Sequence, residues 1–131
     1  MLKRASVLVV EDQSYIALDL ALAIEDADGE VIGPAASVKA ALTLLAIKNV
    51  DGAILDLNLP DGDCSPVVEV LAGRSVPFIL QTGAGVNPGL AARFPNLVAR
   101  IKPCVAAKLI EELEGMISDH KRTAEGKAAA S

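Results

Sequence analysis

Ser6-Val7-Leu8-Val9-Val10-Glu11-Asp12 sets a short β-branched run directly against two carboxylates. A strand with one face in water alternates apolar and polar residues, whereas one buried on both faces stays apolar throughout. This run is of the second kind. Downstream, residues 13–27 place Ile16, Leu20, Ala23, Ile24 and Ala27 on one helical stripe, with Gly29 able to end the helix. Residues 30–34 read as a second short strand. Ser37 is an N-cap candidate for a helix with Val38, Ala41, Leu42 and Leu45 on one face. Ala53-Ile54-Leu55 is a third strand, running into Asp56, and residues 57–63 have the Pro, Gly and Asp chemistry of a loop.

The second half repeats the alternation. Ser65-Pro66 has the form of an N-cap followed by Pro at the first helical position, for a helix to about Ala72. A fourth strand covers residues 76–80. Residues 82–95 contain three Gly and two Pro, so the fourth helix is expected to be short or irregular. Residues 97–101 form a weaker fifth strand, interrupted by Arg100. The last helix is expected from Pro103 to about Ser118, with Leu109, Leu113, Met116 and Ile117 on one side. Residues 120–131 lack an apolar pattern and are expected to be a disordered tail on a domain covering residues 1–119.

Apolar strands alternating with helices imply a doubly wound α/β sandwich, a five-stranded parallel sheet covered on both faces. Its 131 residues fit one domain and leave no room for a second folded output module. Hydrophobic residues make up 52% of the chain, in short blocks; none approaches the roughly 20 residues that would cross a bilayer. Lys3-Arg4 leads straight into the first strand, with no signal-peptide pattern, which points to the cytoplasm. Cys64 and Cys104 lack the number and spacing of a disulfide framework or a zinc site. A net charge of −5, with no basic stripe and only Tyr15, Phe78 and Phe94 as aromatics, argues against nucleic-acid binding.

Doubly wound sheets bind ligands beyond the carboxyl ends of their strands, where strand order reverses. With the order 2-1-3-4-5, strands one and three flank that point. Glu11, Asp12 and Asp56 would then converge there, with Thr82 and Lys102 at the ends of strands four and five. Three carboxylates that close repel unless a cation joins them, and Mg²⁺ suits such oxygen donors. Asp56 is the candidate nucleophile for a phosphoryl group. Lys102 can supply a point charge to the phosphoryl oxygens, and Thr82 a hydroxyl. Taken singly, each residue has a bland reading as a helix start, turn, cap or solvated strand end. Their shared position at strand ends is what gives them weight.

Val9-Val10-Glu11-Asp12, Leu55-Asp56-Leu57-Asn58-Leu59-Pro60, Thr82-Gly83 and Lys102-Pro103 together resemble the receiver domain of bacterial response regulators, from residue 5 to about 118. The resemblance implies a flavodoxin-like fold and a phosphoacceptor at Asp56. It implies Mg²⁺ held by Glu11, Asp12, Asp56 and the backbone carbonyl of Asn58, with Thr82 and Lys102 binding the phosphoryl group. The partners it implies are a sensor histidine kinase or phosphotransfer protein upstream and a protein target downstream. Such a chain is a signalling phosphoacceptor rather than an enzyme, catalysing only its own phosphorylation and dephosphorylation. The sequence leaves its oligomeric state open.

The segment from Val76-Pro77-Phe78 to Thr82-Gly83 resembles more particularly the single-domain receivers with the FAT GUY motif. Leu80 and Gln81 occupy its Phe and Ala positions, and Gly85 stands where Tyr is expected. The aromatic that typical receivers carry three residues before the lysine is Ala99 here, so half of the usual relay to the output face is missing. Cys104 replaces the Phe that often follows the Lys-Pro pair. Three other readings compete. A pseudo-receiver that is not phosphorylated would not need the acidic triad, Thr82 and Lys102. An aspartate-nucleophile phosphatase wants a second acid where Asn58 stands, and usually a larger cap region. A flavin carrier would put a hydroxyl- and glycine-rich loop where Glu11-Asp12-Gln13 repels phosphate.

Overall fold

The computed structural model describes residues 1–86 and 88–130. Among these, β1 (Ser6–Val10), β2 (Glu30–Ala35), β3 (Gly52–Asp56), β6 (Phe78–Thr82) and β7 (Ala99–Ile101) form one parallel sheet in the order β2-β1-β3-β6-β7. With only the sheet strands counted, this is the expected 2-1-3-4-5. The helices are α1 (Ser14–Asp26), α2 (Val38–Ile47), α3 (Ser65–Gly73), α4 (Pro88–Arg93) and α5 (Ala106–Ala130). Strand alternation divides the core in two. Leu8, Val10, Leu55 and Leu80 pack with Ala41 and Leu45 of α2 and Val67, Val68 and Leu71 of α3. Val7, Val9, Ile54 and Ile79 pack with Leu20 and Ile24 of α1 and Ile110 and Leu113 of α5. The central strands are therefore apolar through their middles, as both faces demand, and turn polar only at their ends, at Ser6, Asp56 and Gln81-Thr82.

Three expectations need correction. Residues 58–63 are not simply loop: β4 (Asn58–Leu59) and β5 (Gly62–Asp63) pair antiparallel across Pro60-Asp61. The cap of α3 is Cys64, with Ser65 already inside the helix. The last helix does not stop near Ser118 but continues to Ala130, through residues expected to be a disordered tail. Apolar periodicity reports which helical turns are buried, and residues 119–123, directly past Ser118, are exposed. They still hold good helix formers, and Arg122 pairs with Asp119 one turn before it. The short α4 agrees with the Gly- and Pro-rich segment that holds it.

Two local devices set the edge that bears the site. Gly33, at φ +96°, lies where the β1–β2 register shifts, and a Cβ there would meet the Ala35 nitrogen at 2.8 Å. Only glycine fits this bend. Beyond it the Ala35 carbonyl accepts from Glu11 N–H at 2.9 Å, which fixes the backbone of Glu11. The second device joins the β4–β5 turn to α2. Asp61 accepts from the N–H groups of Val38 (2.8 Å) and Lys39 (3.0 Å), while the Ser37 hydroxyl accepts from Ala40 N–H (3.0 Å). These bonds satisfy donors that a helix start leaves unpaired.

The Val38 and Lys39 N–H groups hold the Asp61 carboxyl below the usual carboxylate range. Its folded pKa is lower than its unfolded one, so its contribution is complete above the unfolded value and disappears as pH falls through the folded value. Asp61→Asn is expected to be less stable than wild type at neutral pH, with the two converging towards acid. Urea melts at a series of pH values measure this, and a constant gap would refute it.

Candidate functional site

The carboxyl edge of the sheet gathers the charged residues. Glu11 follows β1, Asp56 ends β3, Thr82 ends β6 and Lys102 follows β7. One oxygen from each of Glu11, Asp12 and Asp56 lies within 4.8 Å of the others. Glu11 and Asp56 are buried at 2% and 6% exposure, while Asp12 is exposed. Lys102 Nζ donates to Asp56 Oδ2 at 3.1 Å and to Glu11 Oε2 at 3.3 Å. The structure thus brings together all four of the charged residues expected at the site.

Asn58 and Thr82 are placed differently. Asn58 N–H donates to Asp56 Oδ1 at 3.2 Å, and its side chain is exposed. Thr82 is buried, and its hydroxyl donates to the Gly85 carbonyl (2.9 Å) and accepts from Ala84 N–H (3.2 Å). It is thus engaged with the loop after β6. Ala99 is half-buried against the core on the α2–α3 side and has no ring to turn.

Burial and charge shape the ionisation of these groups. Burial raises the Glu11 carboxyl above its ordinary value; the charge of Asp56 adds to this, and Lys102 only partly opposes it. For Lys102, burial alone would lower the ammonium. Its bonds and charge contacts with Asp56 and Glu11 outweigh that and leave it raised. Three carboxylates thus gather beside one ammonium, which pairs with Glu11 and Asp56. Hard oxygen donors with surplus negative charge are a donor set that suits Mg²⁺. Cys64 has no chemistry to offer here: burial foremost pushes its thiol up to about 12, which keeps it protonated and inert.

Sequence reasoning passed over two residues. Asp61 was only a turn residue there, because its helix-capping bonds reach 22 and 23 residues back along the chain. Gln81, at 2% exposure, is a buried polar residue one position before Thr82. The signal for it is a long amide directly after the apolar run Phe78-Ile79-Leu80, still within the strand.

This architecture recurs in solved structures. The CheY-like response regulator receiver domain protein from Methanospirillum hungatei JF-1 superposes with a TM-score of 0.81, covering 91% of this chain and 98% of that one; at 20% identity the likeness is one of fold. The non-phosphorylated HemR receiver domain from Leptospira biflexa is 27% identical over 87% of this chain and 94% of its own, with a TM-score of 0.73. This chain belongs to the receiver-domain family. SdrG from Sphingomonas melonis Fr1, known from a solution structure, is 33% identical to this receiver over 86% of the chain and 98% of its own length, with a TM-score of 0.69. No protein-family model matches the receiver's sequence, and no curated protein matches it either. Among the described residues of this receiver, no helix is long and apolar enough to cross a membrane.

Proposed function

We propose that this receiver is a cytoplasmic phosphoacceptor, in which Asp56 takes a phosphoryl group from the histidine of a sensor kinase or phosphotransfer protein. An Asp56 oxygen attacks phosphorus, and the bond from phosphorus to the histidine nitrogen breaks. The nitrogen leaves with the electron pair. Glu11, Asp12, Asp56 and the carbonyl of Asn58 would hold Mg²⁺, which when bound neutralises charge on the phosphoryl oxygens. Lys102 supplies positive charge from the protein itself. Thr82, released from Gly85, supplies a hydroxyl donor. The observation that carries this reading is the contact of Lys102 Nζ with Asp56 Oδ2 at 3.1 Å, where Asp56 also meets the carboxylates of Glu11 and Asp12.

The signal then passes through protein contacts. In support, α1 exposes Tyr15, Leu18 and Leu22 at helical spacing, and Val105 is exposed at the approach to α5. Scattered apolar residues need no explanation, but a row at helical spacing on one helix suits a partner.

Incubation with acetyl phosphate and Mg²⁺ tests the chemistry. Intact-mass measurement is expected to show one added phosphoryl group, and none when a chelator replaces Mg²⁺. Wild type that gains no mass overturns the reading.

A further inference from the structure

Gln81 is buried, and its Nε2 is fully enclosed with no hydrogen-bond partner among the described residues. Native proteins rarely leave a buried donor unpaired, and each instance calls for a partner or a purpose. The position of Gln81 supplies the purpose. Val9, Ile54 and Ile79 all face the α1–α5 side of the sheet. By the two-residue period of a strand, Glu11, Asp56 and Gln81 face the same way. Asp56 is paired in register with Gln81, and Val10 with Leu55, so the three form one row across β1, β3 and β6. Neighbouring strands lie about 4.8 Å apart, well within the reach of a glutamine side chain. Gln81 also lines, with Lys102, Gln13, Tyr15, Ile16 and Pro103, a cavity of about 470 Å³ between α1 and α5. It therefore flanks Asp56 on the side away from Glu11, and beside the lysine.

We infer that Gln81 is an additional hydrogen-bond donor for the group Asp56 acquires, its Nε2 meeting a phosphoryl oxygen once Asp56 is modified. In the resting protein Lys102 already serves Asp56 and Glu11. A phosphoryl group adds oxygen acceptors beside a donor that until then is idle. Leucine would fill similar space with no unpaired group, so a glutamine here costs the resting fold and is repaid in the modified one.

The inference rests on the phosphoacceptor reading, and the experiment separates the two. Beryllofluoride bonds to a carboxylate oxygen and presents fluorines in place of phosphoryl oxygens. Its apparent affinity is measured with Mg²⁺ for wild type, Gln81→Leu and Gln81→Glu, and melting temperature is measured for each resting protein in chelator. Gln81→Leu is expected to bind beryllofluoride roughly tenfold more weakly, the loss of one hydrogen bond to a charged group. Its resting melting temperature is expected to equal or exceed that of wild type. Gln81→Glu keeps the shape without the donor and is expected to bind more weakly still. Undiminished affinity in Gln81→Leu overturns the inference and leaves Asp56 chemistry intact. So does an affinity loss accompanied by a lower resting melting temperature, which marks a purely structural role. Wild type that binds no beryllofluoride overturns both.

Discussion

Asp56→Asn is expected to gain no phosphoryl mass under conditions that modify the wild-type receiver completely. The change keeps shape and removes the nucleophile: a neutral amide oxygen does not form the acyl phosphate that a carboxylate does. The surroundings should survive it. The Asn58 N–H that donates to Asp56 Oδ1 can still find an amide oxygen, and the Leu57 N–H bond to the Gln81 carbonyl does not involve the side chain. Lys102 loses its partner at 3.1 Å but keeps Glu11 at 3.3 Å. Glu11 in turn loses the neighbouring charge that helps to raise its carboxyl. The resting variant is therefore expected to fold and to retain the wild-type far-UV spectrum, which makes the mass measurement decisive. A folded Asp56→Asn protein that gains one phosphoryl group would move the acceptor elsewhere.

Much of this site was legible because the fold puts its chemistry where each strand stops. Val7 to Val10 are apolar on both faces, so the change to Glu11-Asp12 marks the strand end unambiguously; the same holds where Ile54-Leu55 meets Asp56. General rules of chain connection imply a doubly wound parallel sheet, and the order supposed for it, 2-1-3-4-5, is the one observed. What escaped the sequence is of two kinds. One is contact between distant segments: Asp61 capping α2 cannot be read from a local turn signal. The other is a helix end that no apolar pattern marks. The turns of α5 past Ser118 follow helix propensity and leave no apolar stripe. The Thr82 hydroxyl shows a third limit, since its residue type suits a phosphoryl donor while its present bonds lie with Gly85 and Ala84.

Lys102→Met should slow phosphorylation of Asp56 by about 10²- to 10³-fold, the usual cost of deleting one preorganised donor to developing charge. Methionine keeps most of the unbranched stem of a residue that lines a cavity with Pro103 and α1, so the loss reports on charge rather than bulk. The same substitution has a second consequence that a simple packing defect would not share. Without Lys102, Glu11 and Asp56 face each other with no ammonium between them, and the loss of stability in chelator should be larger than in Mg²⁺. A ligand of the folded state adds about 2.7 kcal/mol at a hundred times its dissociation constant, and the variant should draw more of its stability from that source than wild type does. Melting curves in chelator and in Mg²⁺, beside initial rates of mass gain with acetyl phosphate, separate the two effects. If Lys102→Met is phosphorylated at the wild-type rate, the lysine is only a counter-ion to Glu11, and the contact on which the phosphoacceptor reading depends would be structural.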